Sequence, residues 1–319
     1  MELLTHPRKE AAMTFTFEDY LLHLFYLIDT ELEGLKAALG RPRVRARGPA
    51  PVLADSEVLT VVAAGEFLGL DTDEGIFEHF RRYHRAEFPA LARVSRTTFA
   101  RQAANLWRVA QRLHGRLVGL LPLADPVDGH VLWVLDSFPV RVCKVKRAPG
   151  SKLFKGHAGY GHDPTQGRDR FWGFRVHLRC SDRGPVGGVE LAAGGVTDLA
   201  VAGDLAPDPP GTGLGDRNYW GPDWVPGLVR KGLLLLAPFK KKGSDPDFAG
   251  SKVLTRLRQV IEPVIGQLAT RFHAERTWAR DLWHLCGRLT RKVLSHTAAV
   301  LLNWRAGNPM LQLDLLVHD

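Results

Sequence analysis

Three carboxylates stand out in this chain because each lies in a different kind of local sequence. Asp136 follows the apolar run 131–135, Asp216 closes a short glycine-rich segment, and Glu262 lies in a basic, helix-like stretch. Acids brought together from separate elements repel one another unless cations neutralise them. A pair of Mg²⁺ ions about 3.5 to 4 Å apart is the usual remedy, and such pairs break and make phosphodiester bonds. The acids therefore predict a two-metal site for phosphodiester chemistry.

Each acid taken alone has a simpler explanation, since an Asp after an apolar run is usually a turn or cap residue. Three acids in matching contexts are a stronger signal. One ion would activate a water or a 3′-hydroxyl while the other stabilised the leaving oxygen. Three carboxylates are enough, because Mg²⁺ keeps several waters and phosphate oxygens as ligands, and Mn²⁺ is an expected substitute. We predict Asp136, Asp216 and Glu262 as both the catalytic residues and the metal ligands.

The composition favours a polyanionic partner. The chain has 319 residues, with 43 Lys and Arg against 34 Asp and Glu, which gives a net charge of +9. Its three cysteines lie far apart without paired spacing, which predicts neither disulfides nor a zinc site and favours a reducing cytosol. The apolar runs are too short to span a bilayer and no signal pattern is present. We expect a cytoplasmic, nucleoid-associated protein without a membrane partner.

Periodicity places the acids on a chain with two different textures. Helical spacing dominates before residue 125, and the pattern breaks at 121–126. Strands and helices alternate afterwards. The predicted helices are 15–38, 55–68, 73–82 and a last long helix from 95; then come strands 131–135, 171–180 and 186–192, helix 197–205, strands 212–215 and 233–236, and helices 251–272 and 278–303.

This order predicts an α+β protein whose catalytic domain, 126–305, has an RNase H-like mixed β-sheet flanked by helices. An all-helical region, 1–125, would precede it for DNA-end recognition or dimerisation, and a tail, 306–319, would follow. Side chains at the carboxyl ends of neighbouring strands lie close together. With Asp136 ending the first strand and Asp216 ending the fourth, both would face one crevice. Pro263 predicts either a kink or a new helical segment capped by Glu262.

Five segments carry a recognisable pattern: 53–60, 135–140, 172–178, 216–219 and 256–262. They resemble the DDE transposases of bacterial insertion sequences, most closely the IS982-like group of the IS4/IS5-type assembly. The resemblance implies an RNase H-like catalytic domain, Mg²⁺ dependence and DNA transposition. Asn218 stands where that family usually has Gly, and Asn tolerates the left-handed conformation best after Gly. Thr255 and Ala269 replace an expected Tyr and Lys, so the contacts of those two residues are not carried over.

Basic residues flank the acids along the chain, which predicts a channel that grips phosphates. A solvated charged surface is the alternative. Tyr219 would either stack on an unpaired base near the cut or fill the core. His177 is expected to be a core histidine rather than a phosphate contact. The predicted phosphate contacts are Lys144, Lys155, Lys240, Lys241, Lys242, Arg256 and Arg258.

The leading hypothesis is a transposase that hydrolyses DNA at the ends of its element and transfers the freed 3′-hydroxyl into target DNA. Its partners would be double-stranded DNA, as terminal inverted repeats and target, and further copies of the chain when two ends are held together. Two alternatives remain open: an RNase H-like nuclease without strand transfer, and a catalytically degenerate, DNA-binding remnant of a transposase.

Overall fold

The structure is a computed structural model that describes residues 13–44, 50–125, 128–163, 169–241, 245 and 247–318. The chain forms two compact units. The described residues of Met1–Leu121 and Leu294–Asp319 form the helical unit, and those of Pro122–Val293 form the sheet unit. The predicted boundary near 125 is close to this division, but residues 294–305, assigned to the catalytic domain, group with the helical unit. Over the described ranges, no helix has the length and apolar character needed to cross a membrane.

Side-chain caps start several helices of the helical unit, as the sequence indicates. The Thr72 hydroxyl accepts a hydrogen bond from the Gly75 N–H at 3.0 Å, and Ser95 accepts one from the Thr98 N–H at 3.1 Å. The single long helix predicted from residue 95 is wrong: it is two helices that meet at the fully buried Leu106. The helices are α1 Phe17–Ala38, α2 Asp55–Phe67, α3 Asp73–Tyr83, α4 Arg96–Asn105 and α5 Trp107–Gly119.

The sheet unit contains the predicted mixed sheet with flanking helices, which confirms the α+β, RNase H-like expectation. The third strand pairs antiparallel with the first along one edge and with the second and fourth along the other. The first pairs parallel with the fifth, and the fifth pairs parallel with the sixth. The strands are β1 Leu132–Cys143, β2 Gly159–Asp163, β3 Asp169–Ser181, β4 Val186–Ala193, β5 Gly211–Leu214 and β6 Leu233–Leu236.

Two strand predictions need correction. Asp136 does not end β1, which continues to Cys143 because Phe138 and Val140 are buried and the whole segment pairs with β3. β2 lies in a stretch, between the predicted strands 131–135 and 171–180, where no strand was predicted. Its Gly-Tyr-Gly-His-Asp sequence has weak strand propensity, and pairing with β3 holds it in place.

The helices of the sheet unit include the one that carries the third predicted acid. α8 ends at Leu257, a 3₁₀ turn spans Arg258–Val260, and α9 begins at Ile261. Pro263 thus falls in the first turn of a new helix, where its missing N–H would have had no helical partner. The cap position is Val260 rather than Glu262. The helices are α6 Asp198–Ala202, α7 Val225–Arg230, α8 Phe248–Leu257 and α9 Ile261–Thr270, while α10 Leu282–Arg305 crosses the boundary between units.

Candidate functional site

Asp136 and Asp216 are placed by the parallel pairing of β1 with β5. That pairing runs from Leu132 opposite Thr212 to Val134 opposite Leu214. Both acids lie two residues beyond the last pair, Val134 opposite Leu214. The sequence predicted this meeting, although it comes from the end of β5 and not from the end of β1.

Asp136 is fixed by two donors. Its Oδ2 accepts a 2.6 Å hydrogen bond from Nη1 of Arg258, and its Oδ1 accepts one of 2.8 Å from the Ser137 N–H. Burial raises the pKa of Asp136 above its usual value, and repulsion from Asp216 and Asp198 adds to that effect, whereas Arg258 and the Ser137 N–H lower it. The net upward shift means that burial and the neighbouring carboxylates outweigh the stabilisation that Arg258 and the Ser137 N–H give to the ionised form.

Asp216 is held by the turn that follows it. Its Oδ1 accepts from the Asn218 N–H at 2.8 Å and its Oδ2 accepts from Asn218 Nδ2 at 3.1 Å. Burial raises the pKa of Asp216, which the Asn218 N–H and Arg258 partly offset and Asp198 increases. Asn218 is part of a 3₁₀ turn without a left-handed backbone, so its side chain, and not its conformational tolerance, is what serves this turn.

A fourth carboxylate, Asp198, was missed from the sequence. Its Oδ1 accepts a 2.6 Å hydrogen bond from Ser137 Oγ and lies 3.3 Å from Nδ1 of the fully buried His177. Burial alone would raise the pKa of Asp198, but His177, Ser137 and Arg175 hold it below its usual value. Asp198 is the second residue of the helix predicted at 197–205, and an acid in a helical first turn is common, so the local sequence did not mark it as part of a site.

Tyr219 lies close to these acids and interacts with their charges. Its side chain is 2% exposed, and its hydroxyl makes no hydrogen bond within the described part of the chain. Burial raises its pKa well above the usual value, and the charges of Asp198, Asp136 and Asp216 contribute. A ring this enclosed cannot be reached by a base, which favours the core alternative over stacking.

Glu262 differs from Asp136 and Asp216 in its exposure to solvent. It is exposed in the first turn of α9, although α9 and the preceding 3₁₀ turn pack against β1. Across the described ranges, no three His, Cys, Asp or Glu side chains are arranged to hold a metal ion. The charge interactions of Asp136 with Asp216 and Asp198 place these three carboxylates near one another, whereas Glu262 is exposed on α9.

The predicted phosphate contacts differ in their surroundings. Arg258 is only 18% exposed and is engaged with Asp136. Lys242 lies outside the described residues. The others are all exposed: Lys144, Lys155, Lys240, Lys241 and Arg256.

An open cleft of about 680 Å³, called here the basic cleft, adjoins the acids. Two of its lining residues belong to the acid group or hold it: Asp198 itself, and Asn218, which binds Asp216. Its remaining polar lining is mainly cationic, as expected of a surface that receives phosphates. The residues that matter below are Tyr160, Arg170, Arg175, Asp198, Asn218 and Lys240.

Comparison with known proteins bears on the sheet unit. Residues 128–282 match the family model of a transposase DDE domain, and this stretch contains Asp136, Asp216 and Glu262. No curated protein and no solved structure matches the chain. The family match supports a transposase of the DDE type, a family that binds DNA and generally uses divalent metal ions.

Proposed function

We propose that this chain is a transposase that cleaves DNA at the ends of a mobile element and joins the freed 3′-hydroxyl to target DNA. The observation that carries the proposal is the meeting of Asp136 and Asp216 at the end of the parallel β1–β5 ladder, inside the stretch that matches a transposase DDE domain. The element would be of the IS982-like group, as the segments around these acids suggest.

The two carboxylates fit a divalent cation. They are hard oxygen ligands. Burial raises the pKa of both, Asp198 adds to the rise at both, and Asp216 adds to it at Asp136, so the ionised forms are disfavoured. Mg²⁺ can be bound through one or two carboxylates with waters and substrate oxygens completing its shell, and Mn²⁺ accepts similar ligands. We propose two ions, held by Asp136 and Asp216 with Glu262 as the third acid.

Each residue of the site has a separate task in this proposal. Bound divalent cations supply Lewis acidity, which polarises the scissile phosphate and stabilises charge on the leaving oxygen. The Ser137 N–H keeps the Asp136 carboxylate in one orientation, and the Asn218 side chain does the same for Asp216. Arg258 supplies a fixed positive charge beside Asp136. Exposed lysines such as Lys240 would bind flanking phosphates, which positions the cut without reading sequence.

The proposed partners are double-stranded DNA, first as the terminal inverted repeats and then as the target. Joining both ends of an element in one reaction requires that two active sites be held together, so we propose a homo-oligomer on the paired ends. The reaction would take place in the cytoplasm at the nucleoid.

A matched pair of variants tests the catalytic assignment. Asp136→Asn keeps the size of the side chain and removes its charge, so Mg²⁺-dependent cleavage should fall by orders of magnitude while repeat binding stays near normal. The melting temperature should hold or rise, because a like-charge repulsion is removed. Asp223→Asn, at an exposed acid of the same unit, should leave cleavage unchanged. Cleavage retained by a stable Asp136→Asn protein would end the proposal.

The same preparation separates the alternatives. A strand-transfer assay with the terminal repeats, Mg²⁺ and a target plasmid should give joined products. Cleavage without joined products would indicate an RNase H-like nuclease, and repeat binding without cleavage would indicate a degenerate remnant.

Glu262 needs its own test because it is exposed. Glu262→Gln should abolish cleavage without changing the melting temperature, since the side chain has few contacts to lose. Normal cleavage by this variant would remove Glu262 from the proposed triad and leave the two aspartates.

A further inference from the structure

The floor of the basic cleft is built from backbone. A Cβ atom at Gly161 would lie 2.5 Å from the Gly194 carbonyl oxygen, and one at Gly195 would lie 2.8 Å from the Tyr160 carbonyl oxygen. β2 can therefore lie directly against the turn that leads from β4 to α6 only because these positions lack side chains. The lining of the cleft therefore combines this glycine backbone with polar side chains such as Arg170, Arg175 and Lys240.

Two cations on these walls are not committed to other groups. Arg170 and Lys240 are exposed, and neither forms an ion pair with any residue that the structure describes. Arg175 differs, because its Nη1 donates to Ser137 Oγ at 3.1 Å and its Nη2 donates to the His162 carbonyl oxygen at 2.6 Å. Arg170 and Lys240 are thus available for anionic groups that enter the cleft. The Arg175 guanidinium is already hydrogen-bonded to Ser137 and to the His162 backbone.

The cleft also has an exposed aromatic ring. Tyr160 is 51% exposed, in contrast to the 2% of Tyr219, so it is the tyrosine near the acids that a base can reach. Exposed aromatic rings beside basic side chains are the usual means of binding unpaired nucleotides, because every base has a face that stacks and every linkage has a negative charge.

We propose that the basic cleft binds an unpaired nucleotide of DNA next to the cut, with its base on Tyr160 and its phosphates against Arg170 and Lys240. The volume of about 680 Å³ lies within the roughly 300 to 1,000 Å³ of small-ligand sites. Asp198 and Asn218 on the same wall link the subsite to Asp136 and Asp216. The assignment rests on the proposed function, in that the DNA is the transposase's substrate.

Equilibrium binding without metal ions tests this subsite. The probes are two fluorescein-labelled forms of one duplex, blunt or with an unpaired extension of a few nucleotides, measured by anisotropy on the full chain. The wild type should prefer the extended form. Tyr160→Ala should reduce that preference by about 5- to 150-fold, whereas Tyr160→Phe keeps the ring and should retain it. Arg170→Gln should weaken binding of the extended form more than that of the blunt form.

Matched controls distinguish this result from a general loss of DNA affinity. Tyr26→Ala removes an exposed tyrosine of α1, and Arg230→Gln removes an exposed arginine of α7; neither lines the basic cleft, and neither should change the preference. A 2-aminopurine at the first unpaired position should change its fluorescence on binding to the wild type and to Tyr160→Phe. This reading does not depend on the folding of the alanine variant.

Two outcomes would overturn the subsite: equal losses on blunt and extended DNA in Tyr160→Ala, or no 2-aminopurine response in the wild type. Because the binding is measured without metal ions, it is independent of cleavage. Failure here with a cleavage-dead Asp136→Asn would remove the subsite alone, while normal cleavage by Asp136→Asn would remove the catalytic proposal alone.

Discussion

Arg258 donates a hydrogen bond from Nη1 to Oδ2 of Asp136 at 2.6 Å, across 122 positions of the chain. The side chains are 18% and 25% exposed, so water screens their attraction only in part. This contact ties the 3₁₀ turn before α9 to the centre of β1. It also accounts for one of the two main influences that keep the pKa of Asp136 from rising further.

Loss of Arg258 should therefore destabilise the protein in the absence of metal ions. Arg258→Gln leaves Asp136 half-buried without its cation, and the free energy of unfolding should fall by about 1 to 3 kcal/mol in urea titrations. Arg258→Lys keeps the charge and should cost less. In an Asp136→Asn background the same change should cost much less, because no carboxylate is left unpaired. Additive effects of the two substitutions would show that the contact contributes nothing to stability.

Asp198 should affect stability with the opposite dependence on pH from Asp136. Its folded-state pKa is lowered because contacts with His177 and Ser137 outweigh burial, so its contribution is present above the unfolded pKa and lost as pH falls through the folded pKa. Asp198→Asn should lower the free energy of unfolding by about 1 to 3 kcal/mol at pH 7, with a smaller deficit in acid. Asp136 has a raised pKa, so Asp136→Asn should gain stability relative to the wild type as pH rises.

Urea unfolding of both variants between pH 3 and pH 7 checks this pair of signs. Asp223→Asn, at an exposed acid, is the control. The same direction of pH dependence for Asp136→Asn and Asp198→Asn would contradict the electrostatic account of the site.

Features set by local sequence could be predicted. β6 is four leucines and lies where the apolar run predicts it, and Thr72 caps α3 because a side-chain oxygen there meets the N–H three residues on. Asp136 and Asp216 could be found because each follows a strand-forming run. The resemblance to a transposase family also indicated the RNase H-like fold, which composition alone does not specify.

Features that depend on residues far away in the sequence could not be predicted. β2 is a strand because β3 lies beside it, and nothing in Gly-Tyr-Gly-His-Asp requires that pairing. Asp198 accepts a hydrogen bond from Ser137, 61 positions away, and Arg258 donates one to Asp136. Neither contact can be read from the neighbouring residues. The local sequence predicts Arg258 as a phosphate contact, and its hydrogen bond to Asp136 is not apparent there because the two residues are 122 positions apart.

The exposed lysines after β6 should make DNA binding salt-dependent. Each lost phosphate contact reduces the slope of log K against log salt concentration by about one unit. Combining Lys240→Gln with Lys241→Gln should therefore flatten the slope by about two units on a duplex that carries an unpaired extension, whatever its sequence. Lys231→Gln is the matched control, because its amino group already lies 3.1 Å from Asp204 Oδ1. An unchanged slope in the double variant would assign both lysines to ordinary solvated surface.

His296 should make the helical unit sensitive to mild acid. It is fully buried in α10, and burial, with a contribution from His114, lowers its pKa from 6.5 to about 3. Below pH 6.5 the His296 side chain is protonated in the unfolded chain but stays neutral in the folded one. The free energy of unfolding therefore falls as pH falls, by about 1.4 kcal/mol per pH unit. At pH 5 this amounts to about 2 kcal/mol relative to pH 7.

His296→Leu should remove that part of the acid dependence in urea unfolding, even if the substitution costs stability at pH 7. His318→Gln, at an exposed histidine, should leave it unchanged. Parallel pH profiles for the wild type and His296→Leu would mean that His296 is protonated as readily in the fold as in the unfolded chain.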